Sequence, residues 1–207
     1  MINKTISIMK KETFLFVGIL LIIIIIILAF TSLFISTENV QDLNSTLLPI
    51  GSEEHILGTD YLGRDMFDRV IVGAGMSLFI GITASLISLF IGIILGVLSG
   101  YFSGLIDNII MRFTDIVMAF PVLLLIIAIS ISLPNNVLSS ILVIGVASWT
   151  SIARLIRSQI LTLKSTAYCE SAISLGFSNT RIIIKHLLPN CIGPIIIFFA
   201  LGISNAI

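Results

Sequence analysis

Charge is scarce in this 207-residue chain: Asp, Glu, Lys and Arg together make up 11% of it, and acids and bases balance at 11 each. With a formal net charge of zero, no basic excess points to a nucleic-acid partner. Cysteine and histidine are equally thin at two each, with no C-x-x-C and no His/Cys cluster, so no metal site is expected. No G-x-x-x-x-G-K-[ST] phosphate loop occurs, which excludes ATP hydrolysis by this chain itself. No nucleophile stands beside a matched base, which argues against an enzyme and leaves no catalytic or cofactor-binding residue to nominate.

Apolar residues fill the space that charge leaves. They account for 57% of the chain, and the mean hydropathy is +1.18, values that belong to polytopic membrane proteins. Five uncharged runs stand out: 14–35, 76–99, 116–133, 137–153 and 191–207. The first spans about 33 Å as a helix, enough for one crossing. Its basic lead-in at Lys4, Lys10 and Lys11 also suits a signal peptide, but the run is too long, and Ser36-Thr37-Glu38 offers no small-x-small cleavage site. We expect an all-α multi-pass membrane protein with five membrane helices, in lipid contact. Residues 1–36 form the tail and anchor, 37–75 an outer loop, and 76–207 the membrane core. Pro121 falls in the first turns of the third run, where a missing N–H costs little. The fifth run simply stops at Ile207 with no flanking charge or polar cap.

The uneven placement of bases sets an expected orientation. Nine of the eleven Lys and Arg lie in the N-terminus, at Arg112 and between Arg154 and Lys185; only Arg64 and Arg69 lie in the long loop. A positive-inside bias then puts the N-terminus and the 154–185 region in the cytoplasm of a cell-membrane protein. Cys169 and Cys191 both fall on that side and are expected to be reduced thiols with no disulfide.

Three stretches carry information beyond hydropathy. Leu57-Gly58-Thr59-Asp60-Tyr61-Leu62-Gly63-Arg64-Asp65 is dense in turn formers, with Asp60 and Asp65 able to close turns or pair with Arg64. A self-satisfied surface loop explains it better than a carboxylate pair without a partner base. Ser88, Gly92, Gly96 and Gly100 recur at strict four-residue intervals, a stripe that lets a second helix approach closely. Ser77, Gly81 and Ser85 form a second small stripe on the same run. Between runs two and three, Arg112 and Asp115 are i, i+3 neighbours if helical, with Asp107 behind them. A solvated helix end fits them better than a gate.

The third stretch is residues 168–190. Tyr168, Ala172 and Leu175 share a helical face, Gly176 stands where a helix end often takes a left-handed residue, and Ser178 or Asn179 can cap a second helix. Ile182, Ile183 and Leu187 face one way before Pro189 is expected to end that helix. The product is a helix–Gly–helix elbow, which is either a docking shape or an ordinary amphipathic loop.

Glu170, Ala172, Gly176, Leu188 and Pro189 stand at the spacing E-x-A-x-x-x-G-(x11)-L-P, which resembles the EAA loop of prokaryotic ABC importer permeases. Ser171 replaces the usual alanine and His186 a usual isoleucine. The H-x-L-P-N ending, the L-G-T-D-x-L-G-R-D block and the string from Trp149 to Leu163 are similar to the dipeptide, oligopeptide and nickel branch. The resemblance covers Leu57 to Asn205. It implies a membrane subunit that works with a homologous sister permease, two cytoplasmic ATPases that use ATP, and an extracytoplasmic binding protein. It also implies a sixth span, so the chain is expected to be incomplete. The rival functional readings are a self-contained secondary transporter or channel, a membrane enzyme and a scaffold. The five runs lack ionisable groups in their centres, which disfavours ion coupling. The solute is left open.

Overall fold

The computed structural model describes residues 2–32, 34–35, 41–52 and 55–207, with side chains from 16 onward and at 13. The Lys4, Lys10 and Lys11 side chains and the Ser36–Glu38 stretch fall outside that description. Nine α-helices carry the described chain: α1 (Ile2–Thr31), α2 (Met66–Phe102), α3 (Gly104–Met118), α4 (Val122–Ser130), α5 (Val137–Ala147), α6 (Trp149–Lys164), α7 (Ala167–Ser174), α8 (Asn179–Ile182) and α9 (Ile192–Ala206). No strand occurs among the described residues, as expected for an all-α membrane protein. The chain divides within α2 into two compact units, Met1–Phe79 and Ile80–Ile207.

Among the described residues, three continuous stretches are long and apolar enough to cross a bilayer: α2, Val137–Lys164 (α5 with α6) and Asn179–Ala206 (α8 to α9). Helices α3 and α4 make a fourth crossing only as a broken pair, bent by 85°. Helix α1 ends at Thr31, four residues before the uncharged run does.

Several expected boundaries change, each for a local reason. Helix α2 begins at Met66, ten residues before the uncharged run, because Asp65 caps it: Oδ1 accepts from the N–H groups of Phe67 (2.7 Å) and Asp68 (3.2 Å). The third run is not one straight span from 116 to 133. Pro121 has no N–H to continue α3 and restricts Phe120 before it, so the chain breaks at 119–121 and Pro121 starts α4 instead. Pro189, by contrast, does not end its helix. The backbone widens to a π turn over Ile183–Leu187, tightens to a 3₁₀ turn over Leu188–Cys191 and runs on into α9. A wide turn ahead of the ring gives the carbonyls it would strike room to swing aside.

The small-residue stripe builds the core of the larger unit. Gly92, Gly96 and Gly100 face Ile152, Ile156 and Ile160 of α6, each a further four residues along. The two helices run parallel, with the broken α3–α4 pair returning between them. A Cβ at Gly96 would lie 2.6 Å from the Ala153 carbonyl oxygen, and one at Gly92 2.7 Å from the Ile152 Cβ. Ser88 closes the stripe by donating its hydroxyl to the Gly145 carbonyl at 2.8 Å. The second stripe turns to α9: a Cβ at Gly81 would meet Ile207 and Ile203, and one at Gly202 would meet Ser85. Backbones this close gain dispersion contacts along their whole length, which is what binds helices where lipid is as apolar as leucine.

Candidate functional site

The elbow is a lid of two short helices seated on the end of the bundle. Its hinge is a double hydrogen-bonded turn at the end of α7. The Gly176 N–H donates to the Ile173 carbonyl (2.9 Å), and the Phe177 N–H donates to the Ala172 carbonyl (3.2 Å). That is the Schellman arrangement, which needs a left-handed residue between the helices. Gly176 supplies it with φ +74°, and no atom lies within 4 Å of where a Cβ would stand. Glycine is therefore required here for backbone angle and not for space.

The underside of the elbow is apolar and closed. Cys169, Ala172, Ile182, Leu187 and Cys191 are buried and share one cluster with Val97, Tyr101, Ile156 and Ile160. Ile182 and Leu187 pack inward as the sequence pattern requires. The α7 face is different from the expected one, since Cys169 and Ala172 turn inward while Tyr168 and Leu175 are exposed. The reason is that α7 spans only two turns, and its approach to α6 selects the small side chains. Burial pushes the Cys169 thiol up, so it is an inert packing group.

Polar contacts fix the rim. The Tyr101 hydroxyl donates to Asn179 Oδ1 at 2.8 Å, and Lys164 Nζ donates to the Tyr101 carbonyl at 2.6 Å. Asn179 thus ties the second short helix to α2 instead of capping it, and Ser178 makes no side-chain cap bond. His186 stacks on Phe177 with ring centres 6.0 Å apart, and the Arg181 guanidinium sits 4.1 Å from the centre of the Phe177 ring. Tyr168 and Asn190 both donate to the His186 carbonyl. Sequence reasoning missed Tyr101 and Lys164, because partners 63 and 78 residues apart leave no local spacing to read; it also missed Phe177, although Arg181 four residues on was a readable signal.

What remains outward is Glu170, Ser171, Ile173, Leu175 and Pro189, with Leu175 72% exposed. Leu188 is half-buried, and Glu170 makes no ion pair among the described residues. The five residues of the motif therefore split. Ala172 and Leu188 hold the elbow to the bundle, Gly176 sets its angle, and Glu170 and Pro189 face outward.

The Gly58–Asp65 loop is internally satisfied. Asp60 accepts from the Leu62 N–H (2.8 Å), the Arg64 N–H (3.0 Å) and Arg64 Nε (2.8 Å). The Arg64 guanidinium and these N–H groups hold the Asp60 carboxyl down at about 2. Gly58 and Gly63 take φ +72° and +71°, and a Cβ on either would strike the backbone of Leu48 or Asp42. Asp65 accepts from, or pairs with, His55 Nδ1 at 2.7 Å. Burial pushes its carboxyl up, and the bonds from His55, Asp68 and Phe67 outweigh that to bring it down. Both carboxylates are spent on shape.

Arg112 and Asp115 are exposed, as a solvated helix end requires, and do not pair with each other across their i, i+3 spacing. Asp115 pairs with Arg154 and Asp107 with Arg157, both on α6. Across-helix partners win because α6 presents its two arginines one turn apart, facing α3.

Residues 92–207, more than half of the chain, match the family described as "Binding-protein-dependent transport system inner membrane component". The chain is 37% identical over 196 residues to the oligopeptide transport system permease protein OppC of Bacillus subtilis (strain 168), covering 92% of this chain and 63% of that one. It is 36% identical over 201 residues to the dipeptide transport system permease protein DppC of the same strain, covering 96% and 62%. To the glutathione transport system permease protein GsiD of Escherichia coli O157:H7 it is 42% identical over 156 residues, covering 75% and 52%. The chain thus spans between about half and just under two thirds of the length of these curated relatives. A helical membrane core closed by a glycine stripe, with a glycine-angled elbow at its end, is the frame on which that match falls, and the chain belongs to the family of binding-protein-dependent transport system inner membrane components.

Proposed function

We propose that this chain is a membrane subunit of an ATP-driven importer for peptides or peptide-like solutes, with the elbow as its dock for a cytoplasmic ATPase. The observation that carries the reading is the division of the elbow into a locked underside and a free top. Cys169 and Leu187 are fully buried against the span cluster, while Leu175 and Glu170 stand clear. A surface loop with no mechanical task needs no such anchoring, whereas a lever must be stiff beneath and accessible above. On this reading two ATPases, a homologous sister permease and an extracytoplasmic binding protein complete the system, and ATP is used by the ATPases alone. The N-terminus and elbow face the cytoplasm. The relatives named above are described as oligopeptide, dipeptide and glutathione systems, which supports a peptidic solute over a nickel complex.

The test uses the full-length protein with its partner subunits. Gly176→Val forces a β-branched residue into φ +74°, at a cost of about 1–2 kcal/mol or more, and so re-aims the second short helix. Glu170→Lys reverses an exposed charge and leaves the fold alone. Both variants should reach the membrane at normal levels and lose stimulated ATP hydrolysis and dipeptide uptake. Gly176→Val should also retain less ATPase in mild detergent. Wild-type hydrolysis and uptake in both variants would remove the mechanical link.

A further inference from the structure

Three helices meet at one carboxylate between the elbow and the break in the third span. Asp107 of α3 accepts both arms of Arg157: Nε donates to Oδ1 and Nη2 to Oδ2, each at 2.6 Å. The Ser99 hydroxyl of α2 donates to the same Oδ1. A bidentate fork fixes angle as well as distance. The Asp107 side chain is 14% exposed, so removing its partner would strand a mostly buried charge and cost far more than breaking the pair of Asp115 with Arg154, where the exposures are 60% and 47%. Phe113 also stacks on Trp149, with ring centres 5.9 Å apart, and keeps α3 alongside α6.

The same helices lead to the elbow. Lys164, at the end of α6, donates to the Tyr101 carbonyl, and the Tyr101 hydroxyl donates to Asn179 at the start of the second short helix. Beyond the 119–121 break the attachment changes character. Helix α4 has no charged residue and lies against α5. The break itself borders a cavity of about 900 Å³, lined there by Phe120 and Pro121 and across from them by Ser85, Ser148 and Leu201.

We propose that Asp107 is a positioning residue for transport. It holds α3 to α6, so that displacement of the elbow carries α2's end, α3 and α6 as one body, and the 119–121 break beside the cavity takes up the motion. This inference rests on the elbow being the ATPase dock.

The experiment measures labelled dipeptide moved per ATP hydrolysed, by the full-length protein with its partner subunits in proteoliposomes. Asp107→Asn keeps the shape and removes the charge. It should retain the ATPases and their stimulated hydrolysis, and move about tenfold less solute per ATP, within the range of a typical coupling between two sites. The exchange Asp107→Arg with Arg157→Asp should recover much of that loss, which a merely damaged fold would not do. Arg157→Lys keeps the charge without the fork and should show the same fall, so it carries the test should Asp107→Asn fail to assemble. An unchanged solute-to-ATP ratio in Arg157→Lys or in an assembled Asp107→Asn overturns the proposal. Absence of ATP-driven uptake by the wild type would instead overturn the importer reading beneath it.

Discussion

Replacing Gly96 by alanine adds a single methyl group at the tightest point of the stripe. A Cβ there would stand 2.6 Å from the Ala153 carbonyl oxygen and 2.7 Å from the Ile156 Cβ. Ordinary contact begins at 3.4 Å, so α2 and α6 must separate by about 0.8 Å at that level. Neither obstacle is the end of a flexible side chain: one is backbone and the other a branch point. Gly92 and Gly100, one turn either side, are held by Ile152 and Ile160 in the same way, so the helices cannot part at one level alone. Overpacking of this kind costs about 1–3 kcal/mol. Alanine returns about 0.5–1 kcal/mol through helix propensity, which leaves a net loss of about 0–2.5 kcal/mol by difference. Gly73 lies on the same helix with nothing within 4 Å of its would-be Cβ, so Gly73→Ala meets no obstacle and should be neutral or stabilising. The assay is unfolding of each variant in mild detergent by titration with a denaturing detergent, followed by helical circular dichroism. Equal midpoints for Gly96→Ala and Gly73→Ala would refute the claim that these helices touch through the stripe.

Other expectations follow from burial and charge. A cysteine at Ile50, which is 79% exposed, should react from outside intact cells with an impermeant maleimide, and one at Leu175 should react only after permeabilisation; the reverse pattern would invert the proposed orientation. Native Cys169 and Cys191 are fully buried and should stay unlabelled in either case, so they need not be removed. Asp60 lies below its ordinary value of 3.8, at about 2, so its contribution is fully present above pH 3.8 and is lost as pH falls through about 2. Hydrogen exchange at the Leu62 and Arg64 amides should therefore stay slow at pH 3 and be fast in Asp60→Asn at the same pH. Gly63→Ala should open the same loop, because the added methyl meets the Asp42 backbone and the residue sits at φ +71°; unchanged exchange would count against that packing.

The sequence by itself determined the class of protein, the stripe and the position of the hinge. Those are local properties: hydropathy is a sum over a run, a four-residue repeat puts glycines on one face whatever they meet, and a left-handed turn demands glycine at its own position. The turn loop also announced its own closure, since Asp60, Gly63 and Arg64 sit within one turn of each other. What the tertiary structure alone decided is where distant elements press on one another. Arg112 stands three residues from Asp115, yet Asp115 pairs with Arg154 and Asp107 with Arg157, because helix packing brings the α6 guanidiniums to the α3 carboxylates. Pro121 and Pro189 look alike in sequence. One breaks a span by 85°, and the other is absorbed by a wide turn, because the chain around Pro189 is anchored by Leu187 and Cys191 while Phe120 and Pro121 border open space. Proline removes the same hydrogen bond in both places, and the surrounding packing determines whether the helix continues.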